Sequence, residues 1–145
     1  MDAPTETKSA PTGPIIVPKV WGHEEWLVNQ ALEELPPPGE AGERVVPRGY
    51  CLKRLVIQPR AQCSIHRHLV KDETFVVEQG TVHFELDEQL HVLRAGEQIR
   101  IPTGAWHRFT NRDRERVASI LEVSTFHVDE DSYRRTESRL LEPGE

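Results

Sequence analysis

The stretch "CSIHRHLVKDETFVVEQG", residues 63–80, decides how the chain is read. It places two histidines two residues apart and a glutamate five further on. On a β-strand successive side chains point to opposite faces, so His66 and His68 share one. Two imidazoles on one face can grip a single ion. The chain has seven histidines in 145 residues, however, so the pair alone reads as ordinary surface or half-buried histidines. Glu73 changes that balance. It follows a short turn and opens "ETFVVEQG", a second strand, where it can face the same interior. A carboxylate beside two neutral imidazoles suits one divalent transition metal: Mn, Fe, Zn, Ni or Co. A second stretch, "GEQIRIPTGAWHRFTN" (96–111), adds His107 at the start of another strand. Gly104 supports a tight turn ahead of it, and Pro102 fixes the chain leading in. Three histidines and one carboxylate leave coordination positions open, as a catalytic metal requires.

Outward from these stretches the grammar stays that of strands. "YCLKRLVIQ", "QCSIHRH", "TFVVEQG", "TVHFEL", "QIRIP", "WHRFTN" and "VASILEVST" are short and rich in β-branched and aromatic residues. Turn signals separate them, among them Gln79-Gly80, Asp87-Glu88, Ala95-Gly96 and Asn111-Arg112-Asp113. This spacing predicts an all-β antiparallel sandwich or barrel. "KVWGHEEWLVN" (19–29) predicts one strand or two short ones. "ALEELPPPGEAGERVVPRG" (31–49) predicts a loop that opens with a helical turn at 31–35, because PPPGE continues neither a helix nor a central strand. Residues 1–15 are expected as a flexible tail, 16–130 as the folded domain, and 131–145 as a C-terminal tail with a short helix and a frayed end.

The composition sets the wider bounds. A length of 145 residues fits one domain with its own core. No apolar run is long enough to span a bilayer, and no secretory leader is expected, since residues 1–15 lack a charged and then apolar pattern. With 18 basic and 24 acidic residues the net charge is −6, which disfavours nonspecific binding to nucleic acid or an anionic membrane. Cys51 and Cys63 make no disulfide framework and are expected as thiols in a reducing cytoplasm.

The two histidine stretches resemble the two motifs of the cupin superfamily. The first reads His66, His68, Glu73 and Gly80, with Arg60 where the family usually has glycine. The second reads Gly96, Pro102, Gly104, His107 and Asn111 and matches at every fixed position. The resemblance implies a small jelly-roll barrel, a double-stranded β-helix, with one divalent metal inside held by His66, His68, Glu73 and His107. It also implies a homodimer, in which an open sheet edge such as "WGHEEWLVN" pairs across the interface.

A fold does not name a reaction, so the chemistry must come from residues around the metal. "KVWGHEEWLVN", "IPTGAWHRFTN" and "ILEVSTFHVDEDSYRR" resemble segments of the cupin domain in mannose-6-phosphate isomerases. That points to a carbohydrate substrate and to an aldose–ketose isomerase or epimerase. Such an enzyme needs a base for the C2 proton. On "SILEVST", Glu122 shares a face with Ile120 and Ser124. Facing inward it is a buried carboxylate, whose pKa burial would raise, suited to that task. Facing outward it is a solvated strand residue. Lys53 and Arg100 are candidate substrate anchors, since Arg suits carboxylate or phosphate, or else solvent-facing strand residues. Lys71, in the turn between ligands, is expected at the surface, as are His83 and His91. His127 is left open, and Cys63 is expected to pack. Trp21, Trp26 and Trp106 either line a sugar site or pack in the core or at a subunit interface. Two alternatives stand beside the isomerase: a non-haem iron dioxygenase, and a non-catalytic sugar-binding cupin.

Overall fold

The computed structural model describes residues 13–32 and 49–145. The helical turn expected at 31–35 and the Pro-rich loop therefore lie outside the described residues, except that Ala31 closes a strand. Eleven strands carry the chain from Ile15 to Thr125: β1 Ile15–Lys19, β2 Gly22–Ala31, β3 Gly49–Ile57, β4 Ala61–Gln62, β5 His66–Arg67, β6 Glu73–Gln79, β7 Thr81–Leu86, β8 Gln89–Arg94, β9 Gln98–Ile101, β10 His107–Asn111 and β11 Ala118–Thr125. A 3-10 turn, Asp129–Asp131, and two short strands, β12 Tyr133–Arg134 and β13 Arg139–Leu140, follow. The all-β expectation holds: every strand pairing is antiparallel and the described residues contain no α-helix.

The strands form two sheets. One runs β1-β2-β3-β11-β6-β9. The other places β10 at its centre, with β7 and β8 on one side, β4 and β5 on the other, and β13 and β12 beyond those. "KVWGHEEWLVN" spans the turn between β1 and β2. Since β2 is paired on both sides, the sheet edge is β1 and not that segment as a whole.

Alternation decides what enters the barrel. In β3, Cys51, Lys53, Leu55 and Ile57 are buried while their neighbours are exposed or half-buried. In β11 the buried row includes Ile120, Glu122 and Ser124, and Val123 between them is exposed. The apolar core is Trp21, Leu55, Ile57, Phe75, Val77, Val82, Phe84, Ile101, Phe109 and Ile120 with their neighbours. Phe75 stacks on Phe84 with ring centroids 5.5 Å apart, and Trp21 meets Phe109 edge-on at 4.9 Å. Each such side chain contributes roughly 1.5–3 kcal/mol through burial.

Turn chemistry supports the register. Asp87 and Glu88 both have positive φ, which matches the two-residue turn that right-twisted antiparallel strands favour. Arg60 stands where the cupin motif usually has glycine and still adopts the left-handed conformation, at φ 59°. That conformation costs a side-chain-bearing residue roughly 1–2 kcal/mol. The Arg60 guanidinium offsets it by donating to the carbonyls of Glu142 and Glu145, at 3.1 and 2.6 Å. Pairing of β6 with β11 slips between Ser119 and Ile120, so that Gln79 and Val77 oppose them and Glu78 is the extra residue of a β-bulge.

The C-terminal stretch departs from the expected frayed tail. The 3-10 turn replaces the short helix, β12 pairs with β5, and β13 pairs with β4. Strands of two residues have no hydrophobic periodicity, so nothing in the sequence pattern announces them.

Candidate metal centre

The four motif residues converge. His66 lies on β5, His68 just past it, Glu73 opens β6 and His107 opens β10. His107 and His66 are register partners across the sheet. The three imidazole centroids lie 4.3–5.5 Å apart. One ligand atom from each of the four residues lies within 4.8 Å of the others. His68, Glu73 and His107 are buried, at 5, 2 and 2% exposure.

Each imidazole is oriented by its own backbone carbonyl. Nδ1–H of His66 donates to Ser64 at 2.8 Å, that of His68 to Asp131 at 2.8 Å, and that of His107 to Ala105 at 2.9 Å. A carbonyl only accepts, so Nδ1 holds the proton and Nε2 presents a lone pair to the centre. Those lone pairs face a carboxylate: Glu73 Oε1 lies 2.8 Å from His107 Nε2 and 3.4 Å from His68 Nε2. Acceptors pressed together in a dry site are unfavourable unless a cation lies between them. Both Glu73 oxygens and His107 Nε2 are buried without a hydrogen-bond partner. Donors about 2.1 Å from a common ion sit roughly 3 Å apart at a right angle, so these separations fit one divalent metal.

The electrostatics agree. Burial, then the neighbouring His107, push His66 down to about 3, keeping it neutral and able to ligate. Burial alone would raise the Glu73 carboxyl. The Lys71 ammonium outweighs it and holds Glu73 well below the ordinary value.

Lys71 is the main correction to the sequence reading. Expected at the surface, it is 3% exposed and lies inside the barrel. Its Nζ is 3.2 Å from Glu73 Oε2 and 3.1 Å from Glu122 Oε2, and it donates to His127 Nδ1 at 3.1 Å. Burial works against the ammonium, but the two carboxylates outweigh it and raise its pKa above the ordinary lysine value. Residues 69–72 form a turn, where alternation says nothing about direction, so the sequence carried no signal for this. His127, left open above, is buried and bonds to exposed Asp129 through Nε2 at 2.8 Å.

Glu122 faces inward, 4% exposed, and lines a cavity of about 690 Å³ together with His66, His68, Trp26, Phe75 and His127. Ser124 Oγ lies 3.3 Å from its Oε2, with the Thr125 carbonyl, at 2.8 Å, the nearer acceptor for the hydroxyl proton. Lys53 also points inward at 1% exposure, and Glu122 is its register partner. Its ammonium lies 4.2 Å over the Trp26 ring and 3.9 Å from Glu24. Arg100 is a second correction. It opposes Thr74 on the outer face, is exposed and pairs with Asp72, so it is no anchor for anything bound in the cavity. The neighbours Ile99 and Ile101 already imply this, because the residue between two inward isoleucines points out. Of the tryptophans, Trp21 is core, Trp26 lines the cavity, and Trp106 is stacked between Arg67 and Arg135 at 4.6 and 4.0 Å. Cys63 packs in the core, and burial pushes its thiol up to about 12.

Known proteins share this fold. Residues 53–124 match the family model described as the cupin domain. A mannose-1-phosphate guanylyltransferase of Salmonella typhimurium is 31% identical over 100 residues, 69% of this chain and 20% of the relative. The chain thus spans about a fifth of the length of that curated relative. Among solved structures, Streptomyces PAC13 with uridine superposes with a TM-score of 0.62 at 13% identity, covering 95% of both chains. A sugar phosphate isomerase from Silicibacter pomeroyi superposes with a TM-score of 0.50 at 21% identity, covering 66% of this chain and 68% of that one. The structural likenesses support the jelly-roll fold, and the motif residues, their convergence and the matched model agree on one conclusion: this chain belongs to the cupin superfamily.

Proposed function

We propose that the protein is a metal-dependent cupin acting on a carbohydrate, as a sugar or sugar-phosphate isomerase or epimerase of the aldose–ketose type. One observation carries the reading: Glu122, a buried carboxylate outside the ligand set, faces the same cavity as His66 and His68. The relative named for mannose 1-phosphate and the neighbour named as a sugar phosphate isomerase support a sugar substrate.

A divalent metal held by His66, His68, Glu73 and His107 would supply a Lewis acid for a carbonyl and its neighbouring hydroxyl. Glu122 takes the C2 proton and returns it at the neighbouring carbon. Lys71 fixes the Oε2 edge of Glu122, which leaves Oε1 for the substrate. Trp26 offers an apolar ring at the cavity wall. Lys53 lies over that ring without lining the cavity itself, so its role in substrate binding is indirect. The working form is a homodimer, with edge strand β1, its exposed Ile15 and Ile16, and Val20 in the turn after it in the contact.

The test is solvent deuterium exchange at C2 of mannose 6-phosphate and of a panel of free aldoses, with Mn- or Co-loaded protein and no oxygen. Glu122→Gln should retain the metal and slow exchange by at least about 100-fold. Normal exchange in that variant removes Glu122 as the base. Oxygen uptake that requires iron, with no sugar exchange, would favour the dioxygenase instead. Sugar binding without either reaction would favour the non-catalytic cupin.

A further inference from the structure

We infer that the C-terminal stretch 131–141, which lies beyond the matched cupin segment 53–124, completes the metal centre, with Asp131 as the residue that positions it. Asp131 is 6% exposed and ends the 3-10 turn. It acts through two groups. Its backbone carbonyl accepts Nδ1–H of His68 at 2.8 Å, the bond that aims the His68 lone pair at the centre. Its carboxylate accepts three successive backbone N–H groups: Leu69 at 2.9 Å, Val70 at 3.2 Å to each oxygen, and Lys71 at 2.9 Å.

Those three amides belong to the turn that leaves His68 and enters Glu73. A turn with no ladder partners of its own needs something to satisfy its donors once buried, and here one carboxylate does it. The other side of the same turn is held by the segment leading to His107: Gly104 N–H donates to the carbonyl of His68 at 2.6 Å, and Thr103 Oγ1 to that of Lys71 at 3.3 Å. Asp131 therefore fixes the rotation of one ligand and the path of the chain to a second.

The stretch reaches a third ligand. Arg134 is the register partner of His66, and Arg135 N–H donates to Ile65 at 2.8 Å. Thr136 and Ser138 hydroxyls accept the amides of Ile65 and Ser64, the residues that lead into His66. Leu141 N–H donates to Arg60 at 2.7 Å and closes the strap. Three of the four ligands thus depend on a segment 60 to 74 residues away in sequence.

The measurement is metal affinity of the full chain for Zn(II), by competition with a chromogenic chelator. The visible spectrum of the Co(II) form reports ligand geometry, and the melting temperature of the metal-free protein is followed beside it. Asp131→Asn keeps the shape and the backbone carbonyl but turns one acceptor oxygen into a donor facing amides. Affinity should fall about 10–100-fold, as for other groups that orient metal ligands, and the Co(II) spectrum should change. Asp131→Glu keeps the charge on a longer stem and should show a smaller loss. Wild-type affinity and spectrum in Asp131→Asn overturn the inference, and so does a lowered melting temperature with affinity unchanged, which leaves Asp131 only a scaffold role. Should Asp131→Asn not fold, Asp131→Glu decides, and wild-type affinity there overturns the inference as well. The inference rests on the metal-centre reading: a wild-type chain that binds neither Zn(II) nor Co(II) removes both, whereas wild-type binding with indifferent variants removes only the role of Asp131.

Discussion

Phe84 and Lys53 sit inside the same barrel at 1% exposure each, but the surroundings that make them tolerable differ in kind. Along β11 the inward residues change from Ala118 and Ile120 to Glu122 and Ser124. Their partners on β3 change in step, from Ile57 and Leu55 to Lys53 and Cys51. At the apolar end each side chain is stabilised by leaving water, and any neighbour of the right shape serves. At the polar end leaving water costs free energy, and each group must meet a specific partner. Lys71, Glu73, Glu122 and His127 do so within 3.2 Å of one ammonium. The apolar end fixes the fold, and the polar end depends on it.

The contrast can be broken at its strongest point first. Phe84→Ala opens a cavity beside Phe75 and should cost about 3–5 kcal/mol of unfolding free energy, read from denaturant midpoints. Metal bound per folded molecule should stay at the wild-type value, and its loss would mean that the two ends are not separable.

Lys71→Met acts on the other end. It leaves Glu73 and Glu122 without their cation and should cost about 3 kcal/mol at neutral pH in the metal-free protein. The cost should shrink on loading with metal, which gives Glu73 a second cation. The pH dependence has a definite sign. A carboxyl held below its ordinary value adds stability that is full above that value and is lost as pH falls through the depressed one. For Glu73 the loss therefore lies below about pH 4.5, the unperturbed value. His66, depressed from 6.5 to about 3, adds a loss across that interval in the metal-free protein. Lys71→Met should move the Glu73 component to higher pH and leave the His66 component in place. Acid unfolding curves of the two metal-free proteins that superimpose would show that Lys71 does not hold Glu73 ionised.

Arg100→Ala marks the small end of the scale. Its pair with Asp72 is exposed and screened by water, so the denaturant midpoint should stay at the wild-type value, with no change in metal affinity. A large effect on either would return Arg100 to the site.

How far the sequence exposes each end follows the same division. The four candidate metal ligands are legible because strand alternation and two spaced motifs fix them locally. Glu122 is legible as a face shared with Ile120 and Ser124, once that face is known to be inward. Lys71 is not, because a turn residue has no alternation to orient it. Asp131 and His127 are not, because their partners lie some 60 residues back and β12 and β13 are too short to carry a pattern. Arg100 could have been placed correctly from its isoleucine neighbours.

The bulge on β6 gives this dependence its sharpest form. A strand has only two faces, so the number of residues between an anchor and a functional side chain counts as odd or even. Gly80 is anchored at the apolar end, where an added Cβ would lie 3.1 Å from that of Ala118. From there the extra residue, Glu78, sets the parity of everything downstream. With it, Phe75 and Glu73 both point in, beside Glu122 and Ser124. Without it, the same sequence would turn Thr74 inward and Glu73 toward solvent. The candidate metal centre is thus counted out from the opposite end of its strand, and one exposed glutamate outside the ligand set keeps the count.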